Sequence, residues 1–470
     1  MFNWLKKTLT STTDASPGGA LTPLAQASTR AKPPQAASHQ KEVEKPLQAP
    51  RKILDALNED SGAGLLARQA IMNRENRLIG YEFSLRNPSS PGGADELLLR
   101  TIQGIGVDKL AKCRQLWLRI ADNFITSALV ENLPPAETVL LLYSPEPCHT
   151  LDQALIARAG ELKNAGYKLA LANWQDAPLH RAWLSLVDYV AIDTTTHNPL
   201  EIEELAKKIA GEAPAVQLMA CQLESIEEFD FCRQNHYHLF QGNFLTKREN
   251  WGRRPKLSTD RTRLCDLLNR LRAGGEIAEI AKQLRYSPTL SYRLLRYINS
   301  PAMGLQSRMA SIESGLVFLG REKLYRWFTL LLFNTDDPKS TDGALLEQAL
   351  VRGRMMEILA AEKFSRQQCE EIFVVGMFSL LDILMKLPIS VALDPLQLPS
   401  TVSAALIDDT GNYAAYLRLA VACEANDFDA MERTASLLEF SVDRVNAAHF
   451  EALAWTQDAL TPGTSEASEP

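Results

Sequence analysis

Between residues 65 and about 245 the apolar residues come in short runs, and from about residue 260 onward they recur at helical spacing. "LLARQAIMN" and "LIGYEFSLR" flank the turn-prone "NREN", which predicts two strands joined by a tight turn. The runs "QLWLRIA", "ETVLLLY", "YKLALANW", "DYVAID", "AVQLMAC" and "HYHLFQG" then predict buried strands. Amphipathic segments such as "TLDQALIARAGELKNAG", "EIEELAKKIAG" and "SIEEFDFCRQN" separate them. Alternation of this kind predicts parallel βα units, and so many units in so short a span favour a closed barrel over an open sheet.

The polar, basic stretch "TKRENWGRRPKLS" marks a boundary. Beyond it, helix follows helix: "DRTRLCDLLNRLRAGG", "EIAEIAKQLRYS", "TLSYRLLRYINS", "SIESGLVFLG" and "REKLYRWFTLLLF" carry apolar residues at three and four spacing. The pattern continues to about residue 458, so the fold class expected is α/β plus all-α. The expected division is a barrel over 55–248 and a helical domain over 256–450. Residues 1–50, rich in Ser, Thr, Ala, Pro and Gln without an apolar period, read as a disordered tether, and 459–470 as a tail.

Composition narrows the function classes. The chain has 470 residues, 46% hydrophobic and 23% charged, as soluble globular proteins do. A net charge of −7 gives no basic footprint for nucleic acid or anionic lipid. The seven cysteines are scattered without CxxC spacing, which points to reduced thiols in a cytoplasmic protein. No stretch reaches the ~20 apolar residues that a membrane span needs. "MFNWLKKTLTSTT" makes a poor signal peptide and reads as a frayed terminus or a short contact helix.

The residues carry a family resemblance. Residues 55 to 248 resemble the EAL domain of cyclic-di-GMP phosphodiesterases, and 256 to 450 resemble the HDOD domain, a relative of HD-GYP phosphohydrolases. The second likeness rests on "LSYRLLRYINSPAMGLQSRMASIESGLVFLGREKLYRWFTLLLF", with Leu294, Leu295, Asn299, Ser300, Leu319 and Gly320 as its signature positions. The order of the two resembles EAL–HDOD tandem signalling proteins.

In active EAL enzymes the resemblance implies carboxylates and an Asn holding two divalent metals, with a Lys beside the attacking water. Glu82 in "GYEFSLR" matches the Glu that names the family, followed here by Phe83 and Ser84. The metal-binding Asn falls at Arg119, the next Glu at Leu141, the Asp pair at Ala172 and Asn173, the Lys at Ala191 and a further Glu at Cys221. Asp193, Glu224, Gln241 and Gly242 are kept. Replacing oxygen donors with Arg, Leu and Ala removes the negative charge that two cations need. The expectation is therefore no metal, no cofactor and no catalytic residue at the barrel mouth, with the survivors satisfying backbone donors or pairing with Arg119. A nucleotide-binding pocket is the alternative, with Arg119 as the phosphate contact.

HD phosphohydrolases bind metals through His and Asp, and the seven histidines leave residues 239 to 448 without an imidazole. The helical core is thus expected to hold no His. The two histidines of "HYH" at 236–238 lack a third ligand and read as structural. "GGEIAEIAKQLRYSPTLSYRLLRY" has the outline of a helix-turn-helix, but the HDOD resemblance explains it together with the helices that follow. The expected function is a catalytically inactive bacterial regulator that works by binding a protein partner, without nucleic acid or a membrane span. Cyclic-di-GMP, as a ligand or as the substrate of residual hydrolysis, is the alternative.

Overall fold

The computed structural model describes residues 64–85, 93–106, 114–144, 152–248, 259–299, 309, 311–333 and 341–460. The N-terminal tether, most of the boundary stretch, Ser300 and the tail past residue 460 lie outside the described residues. Eight strands close into a barrel in sequence order: β1 (Leu66–Asn73), β2 (Leu78–Leu85), β3 (Gln115–Ala121), β4 (Thr138–Tyr143), β5 (Lys168–Leu171), β6 (Tyr189–Asp193), β7 (Gln217–Leu223) and β8 (Leu239–Gly242). All eight expected runs form strands.

β1 runs antiparallel to both of its neighbours, β2 and β8, while the remaining pairs are parallel. The cause is the hairpin. Asn73 accepts the amides of Glu75 and Arg77 with its side chain, and Asn76 takes a positive φ of 60°, so the chain reverses within a few residues. At the far seam, a Cβ on Gly242 would lie 2.2 Å from the Leu223 carbonyl oxygen, so only glycine lets β8 approach β7 there.

A strand directs alternate side chains to opposite faces. Ile71, Trp117, Val139, Leu141, Ala170, Ala172, Tyr189, Ala191, Met219, Cys221 and Leu239 form one cluster inside the barrel. The opposite faces belong to a second cluster that runs without a break from the strands into the C-terminal helices.

The helical half holds the expected helices. Residues Ile312–Phe333 form two helical stretches that meet at Gly320, whose φ of 70° and ψ of 171° interrupt the helix. Helices Asp342–Ala360 and Arg366–Phe378 cross closely because Gly353 and Gly376 meet at the contact, where a Cβ on Gly376 would sit 2.4 Å from the Gly353 Cα. Short helices at Gly93–Ile105, Pro178–Trp183 and Phe428–Leu437 complete elements that the apolar pattern had not marked.

Helix Asn412–Ala425 packs over β1, and Phe83 of β2 stacks on Phe450 of helix Val442–Leu460 with ring centroids 4.8 Å apart. Asn446 accepts the Leu66 amide at 3.0 Å and donates to the Gly64 carbonyl at 2.8 Å. The two halves therefore share one apolar core.

Candidate functional site

The barrel mouth brings together three of the expected residues. Glu82 projects inward from β2 and is buried. Its Oε2 accepts from Gln241 Nε2 at 3.1 Å, and its Oε1 lies 3.4 Å from Arg119 Nε. Gln241 also donates to Gln69 Oε1, and its own Oε1 accepts the Gln222 amide at 2.9 Å. Burial raises the Glu82 pKa above the ordinary carboxylate range, with Arg119 pulling the other way.

The remaining survivors are occupied locally. Asp193 caps the short turn Thr194–Thr196, accepting the Thr195 amide at 2.9 Å and the Thr195 hydroxyl at 2.6 Å. Glu224 is exposed and pairs with Lys247 at 2.5 Å. Cys221 sits near Glu82, Arg119 and Asp193, and burial pushes its thiol well above the ordinary range, so it stays protonated. Around it, Leu141, Ala172 and Ala191 are buried in the inner apolar cluster. Among the described residues, no group of three or more His, Cys, Asp or Glu has a metal-holding arrangement.

Gln69 is a member of this group that the sequence did not single out. The signal was present: alternation along β1 places it on the inner face with Ile71, as a polar residue in an otherwise apolar lining.

In the helical half, Leu294 is fully buried and Leu319 nearly so, whereas Leu295 is only half-buried, so the two leucines do not share one buried face. Asn299 ends helix Pro288–Ile298 and grips the chain beyond it. Its Nδ2 donates to the Met309 carbonyl at 2.8 Å, and its Oδ1 accepts the Met309 amide at 2.7 Å. Gly320 lies at the helix interruption.

A second polar cluster lies where the halves meet. Arg68 on the outer face of β1, with a side chain 1% exposed, reaches Glu424 at 3.0 Å, Gln348 at 3.1 Å and His449 Nε2 at 2.5 Å. Arg352 binds the other oxygen of Glu424 at 2.5 Å and the Ser379 hydroxyl at 2.6 Å. Beside them, Glu347 receives Arg114, Tyr81 and Gln457. His449 corrects the expectation of a helical core without imidazole, since it lies one residue past the empty span and is completely buried. Burial and the adjacent Arg68 hold its pKa well below the ordinary value, so it is neutral and serves Arg68 rather than a metal.

Part of the chain matches a protein family, and most of it aligns with known relatives. Residues 255–387 match the HDOD domain family. The chain is 28% identical over 413 residues to the uncharacterized protein YuxH of Bacillus subtilis, covering 84% of this chain and 98% of that protein. It is 26% identical over 405 residues to the cyclic di-GMP phosphodiesterase CdgJ of Vibrio cholerae, covering 84% of this chain and 92% of the relative. Among solved structures, an EAL domain protein from Listeria monocytogenes aligns with a TM-score of 0.33 at 16% identity, over 42% of this chain and 93% of its own. Residues 255–387 thus match an HDOD domain behind a closed eight-stranded barrel, and the resemblance to EAL–HDOD tandem proteins rests on that match and the two long alignments.

Proposed function

We propose that this chain is a cytoplasmic regulator in cyclic-di-GMP signalling whose barrel performs no metal-dependent hydrolysis and whose output is contact with a protein partner. The observation that carries the reading is the Arg119–Glu82 pair inside the mouth. A guanidinium pairs with the buried Glu82 carboxylate, where a divalent cation would need anionic oxygen, and Asp193 is engaged by Thr195. Leu141, Ala172 and Ala191 offer no donors, and the Cys221 thiol is held protonated. These residues do not fit a pair of hydrated divalent metals.

The protein-contact half of the reading draws on exposed apolar side chains. Tyr286, Tyr292, Val317 and Phe318 are 72%, 67%, 70% and 41% exposed, and all four fall in the HDOD-matched stretch. Contiguous exposed apolar surface marks interaction sites, and these four side chains are proposed to form part of such a surface. Among the described residues no helix is long and apolar enough to cross a membrane.

A second reading, binding or slow hydrolysis of cyclic-di-GMP, is favoured by the 26% identical phosphodiesterase relative and by the partly exposed Arg119. The test is incubation of the purified full chain with cyclic-di-GMP and Mg²⁺ or Mn²⁺, beside Glu82→Ala. No turnover is expected from either protein, and turnover lost in Glu82→Ala overturns the proposal. Titration calorimetry with the same nucleotide, repeated on Arg119→Ala, decides whether binding survives without turnover.

A further inference from the structure

Between the rim of the barrel and the helical half lies a crevice of about 910 Å³. The turns after β7 and β8 form one side through Glu224, Asn243 and Lys247. The helices supply an apolar wall, Leu380, Ile383, Leu406, Leu417 and Val421. Arg352 and Glu424, the most buried charges of the lining, form its floor, with side chains 4% and 10% exposed.

That floor carries unbalanced charge. Among the described residues, Arg352 and, behind it, Arg68 both pair with the single carboxylate of Glu424. The other groups around them are neutral: Gln348, Ser379, the uncharged His449, and Cys423, whose thiol is pushed up to about 12 by burial. The neighbouring Glu347 is taken by Arg114. Rim charges do not make up the difference. Lys247 pairs with Glu224, Arg248 with Asp382 and Arg418 with Asp409, while Asp427 caps a helix and Arg433 stands exposed. An unanswered positive charge is costly in a low-dielectric interior unless an anion meets it.

We propose that this crevice binds a small organic anion, with its carboxylate, sulfonate or phosphate group toward Arg352 and an apolar body against the Leu417–Val421 wall. The volume falls within the range of small-molecule pockets, and the mixture of an apolar wall with one charged group suits an amphipathic ligand. The crevice shares Glu224 with the rim of the barrel mouth, but its floor of Arg352 and Glu424 belongs to the helical half, and the proposal does not depend on the function proposed above. Because both halves line it, a bound ligand also holds them together and raises the unfolding temperature.

The test uses anilinonaphthalenesulfonate, an apolar-bodied monoanion, titrated into the full chain by fluorescence, with decanoate and decanol as competitors. Saturable binding of one probe per chain is expected, displaced by decanoate and not by decanol. Arg433→Glu, at an exposed rim position, and Val421→Glu, in the partly exposed wall, should fold normally and weaken binding by about tenfold, the first by reversing a rim charge and the second by setting a carboxylate against the ligand's apolar body. Arg352→Met removes the floor charge and is read only if its unfolding temperature holds. Lys168→Glu, in a separate groove at the opposite end of the strands, should bind as the parent does. Absence of saturable binding, affinity equal to the parent's in both Arg433→Glu and Val421→Glu, or equal displacement by decanol overturns the proposal.

Discussion

Arg68 and Glu424 lie 356 positions apart in the chain, yet their side chains meet at 3.0 Å in the interior, one on the first barrel strand and the other near the end of helix Asn412–Ala425. The contact explains why β1 carries a charge on a face otherwise packed in the core. Arg68 is one of the barrel's polar anchors to the helical half, and Glu424 is shared with Arg352.

Glu424→Gln should therefore be the most damaging conservative change in the chain. It keeps the shape but leaves two buried guanidiniums without a carboxylate, and breaking a buried pair from one side typically costs ~3–5 kcal/mol. Arg68→Met should cost less, because Glu424 keeps Arg352 as its partner. Urea unfolding of both variants checks the order. Equal stability of Glu424→Gln and the parent would show that the cluster is not a structural anchor.

The sequence made the barrel legible because each strand is a compact apolar run bounded by turn residues, and its period of two survives without knowledge of partners. "NREN" likewise revealed the hairpin that makes β1 antiparallel. Glu82, Gln241 and Arg119 were legible through the resemblance, and their pairing followed from ordinary charge chemistry. The Arg68–His449 contact was not, since it joins residues 381 positions apart and neither has a local pattern that announces burial. The interruption within Ile312–Phe333 was foreshadowed by Gly320, which separates two apolar runs. Helix Gly93–Ile105 escaped notice because it opens on Gly and carries its apolar residues as a short cluster, "LLL", resembling the neighbouring strand runs.

His449 should make stability depend on pH in a predictable direction. Its pKa in the folded protein lies well below the ordinary 6.5, so below that pH the unfolded chain binds a proton that the folded chain refuses. The stability tied to neutral His449 is fully present above pH 6.5 and is lost as the pH falls below it. The groups facing the ring are Arg68 and, through it, Glu424, so no adjacent carboxylate offsets the loss. A single such group contributes a slope of at most about 1.4 kcal/mol per pH unit. Denaturant unfolding of the parent between about pH 7.5 and pH 5.5 should show a steeper decline than His449→Gln over the same range. Parallel pH profiles for the two proteins would contradict a neutral, buried His449.

The HDOD signature yields the last prediction, in which two adjacent leucines should behave differently. Leu294 is 0% exposed, whereas Leu295, one step round helix Pro288–Ile298, is half-buried. Truncating a fully buried Leu typically costs ~2–5 kcal/mol through lost transfer energy and the cavity left behind. Leu294→Ala should reach that range, while Leu295→Ala, with part of its surface already in water, should stay below about 2 kcal/mol. Asn299→Ala belongs between them. It removes two hydrogen bonds to Met309 that fasten the helix end to the segment leading into Ile312–Phe333, at roughly 0.5–1.5 kcal/mol each. Thermal unfolding of the three variants ranks them directly. A Leu295→Ala protein less stable than Leu294→Ala would mean that the packing face of this helix is rotated from the one described.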